Sequence, residues 1–232
     1  MRFTLAFDVY GTLFDTQGVV TALQEQMHTR QRQAPGRSVT AQAVAELWRD
    51  KQLEYAFRRG LMQRFKDFSV CTRDALRYCD AYFQLGLSPE AETKLLAAFD
   101  QLPVYDDVSA ALRELGRTHR VYAFTNGCQE KVESLLENAG IADEFNGVIS
   151  VTEAKSFKPD PSVYTHFLRQ TQSDSEHTWL VSANAFDIIG ADSVGMRTAW
   201  VKRRPDAIFD PWGVQPELTV AHLGQLNGLM RC

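Results

Sequence analysis

The 232-residue chain sets 25 Lys and Arg against 29 Asp and Glu, a formal net charge of -4, with 44% hydrophobic and 23% charged residues. This balance fits a soluble globular chain of one large domain or a core with a smaller companion, and it excludes disorder and a continuous basic face for nucleic acid. Cys71, Cys79, Cys128 and Cys232 form no C-x-x-C pair, and no run approaches the ~18 apolar residues of a membrane helix, so the expectation is a cytoplasmic protein with reduced thiols and no membrane or nucleic-acid partner.

In chain order, the first apolar run is Phe3 to Phe7, which Asp8 ends too soon for a signal-peptide core. It reads as a buried strand that breaks into the turn Asp8-Val9-Tyr10-Gly11-Thr12. About a hundred residues with mostly helical patterning follow, far more than a crossover needs. Val39 to Phe65 carries apolar residues at helical spacing (Val44, Leu47, Trp48, Leu53, Ala56, Phe57), and Thr72 to Leu85 and Pro89 to Phe99 continue in that style. The most loop-like stretch there is Gln33-Ala34-Pro35-Gly36-Arg37-Ser38.

Strands are then expected at Val121 to Phe124, Trp179 to Val181 and Thr198 to Val201, alternating with helices at Asp107 to Leu115, Glu130 to Ala139, Ser162 to Gln170 and Ala185 to Val194. Gly140 and Gly195 end two of these helices. Past Val201 the pattern weakens into a loop, a short strand at Leu218 to Val220 and a terminal helix at His222 to Leu229. The pattern is α/β: a doubly wound, Rossmann-like parallel sheet core over 1–15 and 99–232, with a helical cap domain inserted over 16–98.

Polar clusters recur at the carboxyl ends of the expected strands, where an open parallel sheet forms its crevice. Asp8 ends the first, Thr125-Asn126-Gly127 follows the second, and Ser182-Ala183-Asn184-Ala185-Phe186-Asp187 follows the third. Lys158 sits between two prolines' reach in Phe157-Lys158-Pro159-Asp160-Pro161, with Asp160 and Pro161 as the cap and first residue of a helix. Taken singly, Asp8 reads as a turn carboxylate, Asn126 and Asn184 as helix caps and Lys158 as a surface lysine; their joint occurrence at strand ends favours a site. Arg58-Arg59 and Lys202-Arg203-Arg204 read as a solvated helix face and a solvated loop. The chain has no G-x-S-x-G, G-x-G-x-x-G, G-K-[ST] or H-E-x-x-H motif, and its five histidines are scattered.

Five segments together resemble the haloacid dehalogenase superfamily, and within it the L-2-haloacid dehalogenases, over nearly the whole chain. They are Asp8 to Asp15, Leu47-Trp48-Arg49-Asp50-Lys51-Gln52-Leu53-Glu54-Tyr55, Thr125 to Gly127, Lys158 to Tyr164 and Ser182 to Asp187. The resemblance implies hydrolysis of a small 2-haloalkanoic acid, releasing halide, with no cofactor and no metal. Asp8 would attack C2 and form an ester that water then hydrolyses, so that an L-2-haloacid becomes a D-2-hydroxy acid. The superfamily's phosphatases carry D-x-D, whose second Asp protonates an alcohol leaving group; Tyr10 stands there instead, and halide leaves without a proton. By motif position, Arg49, Asn126 and Phe186 would cradle the halide, and Thr125 with backbone amides near Tyr10 and Asn126 would hold the substrate carboxylate. Thr12, Lys158, Tyr164, Ser182 and Asn184 would orient Asp8, and Asp187 would position or deprotonate the water. Leu53 and Phe68 read equally as alkyl-pocket walls or as helix-packing residues. Three positions depart from some members of the family: Thr125 for Ser, Asp50 for Gln and Phe186 for Trp, with Asp50 adding negative charge beside Arg49. The resemblance also implies a homodimer. The competing readings are a magnesium-dependent phosphatase of the superfamily and a non-catalytic relative.

Overall fold

The computed structural model describes residues 2–31 and 39–230, with the side chains of 28–31 excepted. The loop expected at Gln33 to Ser38 and the residue Cys232 lie outside the described residues. In chain order the elements are β1 (Thr4–Asp8), α1 (Val19–Gln31), α2 (Ala41–Leu61), α3 (Phe68–Phe83), α4 (Pro89–Ala97), α5 (Val108–Gly116), β2 (Arg120–Thr125), α6 (Gln129–Asn138), β3 (Gly147–Ser150), α7 (Pro161–Thr171), β4 (Thr178–Ser182), α8 (Ala185–Asp192), β5 (Arg197–Val201), β6 (Leu218–Val220) and the single turn α9 (Leu226–Leu229). They divide into two compact units, one made of the residues up to Asp15 and those from Val104 onward, the other of Thr16–Pro103.

The first unit is built on a six-stranded sheet in the order β3-β2-β1-β4-β5-β6, parallel at every pairing. Every residue of β1 and β4 is buried, as expected of central parallel strands covered on both faces. From β1 the chain winds outward through β2 to β3, then crosses to the other side of β1 with β4, which makes β1 the strand at the topological switch. Register sets Asp8 beside Phe124 and Phe7 beside Val181, so the carboxyl ends of β1, β2 and β4 lie level on one edge of the sheet.

Two elements differ from the sequence expectation. The edge strand β3 has no counterpart in it, because four residues with alternating burial, opened by Gly147, carry too little hydrophobic signal to stand out from a loop. The terminal helix is a short 3-10 turn followed by the one turn of α9, since Gly224 and Gly228 cost helix propensity within an eight-residue segment. Gly140 does end α6, taking φ +67° just past the last turn.

The second unit is helical. Its longest helix, α2, starts where Thr40 accepts a hydrogen bond from the Ala43 amide, and it is rich in Ala, Leu, Gln, Glu, Lys and Arg. Its buried face (Ala41, Val44, Ala45, Trp48, Gln52, Ala56) meets the stripe Phe68, Cys71, Thr72, Ala75, Leu76 and Cys79 of α3, and the Trp48 indole donates to the Thr72 carbonyl at 2.8 Å. Burial pushes the thiols of Cys71 and Cys79 up to about 11 and about 12, so both stay protonated.

In the first unit, α7 and α8 approach so closely that Gly190 faces the Tyr164 ring: a Cβ there would lie 2.6 Å from Cε2 and 2.7 Å from Cζ. Gly190→Ala therefore overpacks a buried contact, and an unfolding free energy lower by about 1–3 kcal/mol is expected from urea denaturation.

Candidate active site

Asp8 is the last residue of β1 and is buried. The chain turns at once: the amides of Thr12, Leu13 and Phe14 point back to the Val9 carbonyl, and Gly11 takes φ +87°, a conformation that side-chain-bearing residues rarely adopt. The turn brings the Thr12 hydroxyl 2.8 Å from Asp8 Oδ2. The same hydroxyl accepts the Ala183 amide at 2.8 Å, so its single proton is committed to Asp8.

The loop after β4 supplies the next donors. Asn184 stands at the N-cap position of α8, yet its side chain makes no capping bond. Its Nδ2 donates instead to Asp8 Oδ2 at 2.7 Å and to the Tyr10 carbonyl at 3.2 Å, while Ser182 Oγ lies 3.4 Å from Asp8 Oδ2. The ordinary-cap reading of Asn184 is thereby set aside.

Lys158 is 1% exposed. Its ammonium donates to Asp8 Oδ1 at 3.1 Å, Asp187 Oδ2 at 2.8 Å and the Phe124 carbonyl at 2.9 Å, using all three protons, and it sits 4.2 Å over the Phe124 ring. The main chain is anchored too, because the Lys158 amide donates to Asn126 Oδ1 at 3.0 Å. Asp160 then caps α7 by accepting the Ser162 amide, and Pro161 opens the helix. The surface-lysine reading fails on this burial.

Asp187 is fully buried, with Oδ1 accepting the Tyr164 phenol at 2.8 Å and Oδ2 accepting Lys158. Burial raises its pKa and Lys158 counters part of the rise. For Lys158, burial favours the neutral amine, but Asp187 and Asp8 outweigh it and hold the ammonium above its ordinary value. Tyr164 lies well above its usual range, through burial and then the charge on Asp187, so it remains a donor. One buried cation is thus wedged between two carboxylates.

Thr125 is buried at the end of β2, and its Oγ1 accepts the Gly127 amide at 2.9 Å. Ser150, at the end of β3, holds the Gly127 carbonyl at 2.7 Å. Tyr10, in the turn after β1, sets its ring beside Gly127, and Phe186 stands in the first turn of α8; both are partly exposed. Asp8, Tyr10, Thr12, Thr125, Asn126, Lys158, Tyr164, Ser182, Asn184, Phe186 and Asp187 therefore all belong to the first unit and to the carboxyl edge of its sheet.

Arg49, Leu53 and Phe68 belong to the second unit. Arg49 Nη1 donates to Gln52 Oε1 at 2.7 Å, and the buried Gln52 amide in turn donates to Thr72 Oγ1 at 2.6 Å. Asp50 beside it is exposed. Phe68 opens α3 and is buried, while Leu53 is half-buried.

Several supporting residues escaped the sequence reading. Gln52 and Thr72 orient Arg49, Gly190 makes room for Tyr164, and Ser150 ties β3 to the turn after β2. Arg203 is the clearest correction to the solvated-loop expectation: its side chain is one-tenth exposed and salt-bridged to Asp107.

Residues 4–195 match the family model of haloacid dehalogenase-like hydrolases. The (S)-2-haloacid dehalogenase of Pseudomonas sp. (strain YL) is 34% identical over 94% of this chain and 90% of its own. That of Xanthobacter autotrophicus is 36% identical over 86% of this chain and 74% of its own. The solved L-2-haloacid dehalogenase of Xanthobacter autotrophicus with chloropropionic acid covalently bound superposes with TM-score 0.84 at 30% identity, covering 100% of this chain and 99% of that one.

Replacing Lys158 with Met leaves Asp8 and Asp187 facing each other without a counter-charge, and a loss of about 3–5 kcal/mol at neutral pH is expected. The sign with pH follows. With its folded pKa raised further, Asp187 binds more protons folded than unfolded above its ordinary 3.8, so the variant should be more stable at pH 5 than at pH 8. In the wild type the raised Lys158 contributes fully below its ordinary 10.5, and that contribution fades only as pH climbs through the higher folded value. Urea denaturation at pH 5 and pH 8 measures the variant's slope, and denaturation of the wild type above pH 10.5 measures the lysine's contribution.

Proposed function

The chain belongs to the haloacid dehalogenase-like hydrolases, and from that footing we propose that it hydrolyses L-2-haloacids to D-2-hydroxy acids through an ester on Asp8. The observation that carries this reading is the unequal treatment of the two Asp8 oxygens. Oδ2 accepts Thr12 and Asn184 and lies 3.4 Å from Ser182 Oγ, whereas Oδ1 accepts only Lys158 among the described residues. Oδ1 keeps a lone pair for attack, while Lys158 on Oδ1 and the donors on Oδ2 hold the carboxylate in one orientation.

In the first step Asp8 Oδ1 bonds to C2 from the side opposite the halogen, and the C2–halogen pair leaves with the halide. C2 inverts once. In the second step water adds to Cγ of the ester, giving its proton to Asp187, whose buried carboxylate is a stronger base than an exposed one. Charge develops on Oδ2, where the Thr12 hydroxyl and Asn184 amide already stand as donors, the arrangement an oxyanion requires. The Cγ–Oδ1 bond then breaks, Oδ1 departs on C2 as the new hydroxyl with the proton that Asp187 returns, and the Asp8 carboxyl, now carrying the water's oxygen, loses the second water proton to solvent.

Thr125, whose Oγ1 accepts the Gly127 amide and so keeps its proton for donation, and the amides near Tyr10 and Asn126 are assigned to the substrate carboxylate. Asn126, whose Oδ1 is tied to the Lys158 amide, offers its N–H groups to the halide together with Phe186. Arg49 keeps the role that motif position gives it, a cation for the departing halide, held by Gln52. Leu53 and Phe68 are assigned to the alkyl group on the same basis.

Metal independence follows from the leaving group: halide departs as a weak base, so a second carboxylate at position 10 would have no proton to deliver. The same reading describes a cytoplasmic homodimer. Cys71, Cys79 and Cys128 form no disulfide among the described residues, which supports a reducing compartment, and the exposed Leu61, Met62 and Tyr82 of the second unit support association.

L-2-chloropropionate should release chloride in the presence of EDTA and yield the D-hydroxy acid, and Asp8→Asn should abolish release. Absence of halide from fluoro, chloro and bromo acids alike would sink the proposal. Magnesium-dependent phosphate release from an aryl phosphate would favour a phosphatase instead.

A further inference from the structure

Arg203 lies just past β5, and its guanidinium makes two kinds of contact at once. Nε and Nη2 both donate to the Thr12 carbonyl, at 3.0 and 2.7 Å, while Nη1 donates to both oxygens of Asp107 at 2.8 Å each. The guanidinium plane also lies 4.2 Å from the centroid of the Tyr105 ring. Tyr105 is neutral, its hydroxyl pushed up to about 12 by burial and by Asp15.

Asp107 is fixed from its other side, because its Oδ2 accepts the Leu223 amide at 2.6 Å. It stands at the N-cap position of α5 without making a side-chain capping bond. A residue type suited to capping is thus diverted to hold Arg203, as Asn184 is diverted to hold Asp8. An exposed ion pair would contribute little, but a planar fork that engages a carbonyl and a carboxylate together restricts both in direction as well as distance.

The Thr12 carbonyl belongs to the residue whose hydroxyl bonds Asp8 Oδ2 at 2.8 Å and accepts the Ala183 amide at 2.8 Å. We propose that Arg203 is a positioning residue for the nucleophile: by pinning the Thr12 carbonyl it holds the Gly11-Thr12 turn so that the Thr12 hydroxyl fixes the Asp8 carboxylate for attack. Arg203 touches neither Asp8 nor, on this assignment, the substrate. The inference rests on the reading of Asp8 as nucleophile.

Arg203→Met, Arg203→Lys and Asp107→Asn test it. Small displacements of a nucleophile cost reactivity far more than binding, so Arg203→Met should lower kcat for L-2-chloropropionate roughly tenfold to a hundredfold with KM little changed. Arg203→Lys retains the charge beside Asp107 but has no fork. It should unfold close to the wild-type midpoint and still show reduced kcat, which keeps the test decisive if the Met variant fails to fold. A folded Lys variant with wild-type kcat would overturn the proposal.

Amide hydrogen exchange supplies a readout independent of turnover. Exchange across residues 9–14 should quicken in the Arg203 variants and in Asp107→Asn while β4 stays protected, and unchanged exchange over 9–14 overturns the clamp. If the wild type releases no halide from any haloacid, the dehalogenase reading fails by itself, and the exchange result still decides whether Arg203 holds the turn.

Discussion

A single ammonium group, buried between two carboxylates, is the constraint on which the first unit's polar edge depends. Moving a charge out of water costs several kcal/mol, so a buried lysine persists only where opposing charge and full hydrogen bonding surround it. Lys158 meets that condition with Asp8, Asp187 and the Phe124 carbonyl. Each partner comes from a different strand or its following turn. The group therefore exists only when β1, β2 and β4 end at the same level, which the parallel register enforces.

Around this charge triplet, local preferences yield to the needs of the site. Asn184 and Asp107 occupy helix N-cap positions yet spend their side chains elsewhere, on Asp8 and on Arg203. The first turns of α8 and α5 forgo side-chain caps in consequence. Such departures from local rules concentrate where function is housed, since the chain is otherwise free to adopt the more stable local choice. Gly190 tells the same story in packing: the missing side chain admits the Tyr164 ring, and the ring carries the phenol to Asp187.

The helical unit holds a cation by a milder device. Arg49 is partly exposed, and an amide directs its Nη1: Gln52 accepts from Arg49 and donates to Thr72, whose hydroxyl donates to the Phe68 carbonyl at 3.0 Å. A neutral acceptor orients the guanidinium without cancelling its charge, which suits the halide role proposed for it.

The sequence by itself determined the doubly wound core, because continuous apolar runs and 3.6-residue periodicity are local signals, and it placed Asp8, Asn126, Ser182, Asn184 and Asp187 at strand ends for the same reason. Lys158 stood out by its neighbouring prolines, and Arg49 only through the resemblance of its segment to the family's motif. What it left open were facts set by pairing between distant segments. Lys158 and Asp8 are 150 positions apart and Asn184 and Asp8 are 176 apart, so neither the burial of the lysine nor the diversion of the asparagine has a local trace. Edge strand β3 became a strand only through its ladder with β2, being too short to declare itself. Arg203, in a basic triplet that reads as solvated, was assigned its place by a carbonyl 191 positions away. Local propensity writes elements and their ends; only the folded chain decides which charges share one low-dielectric space and which side chains abandon their nearest partners for remote ones.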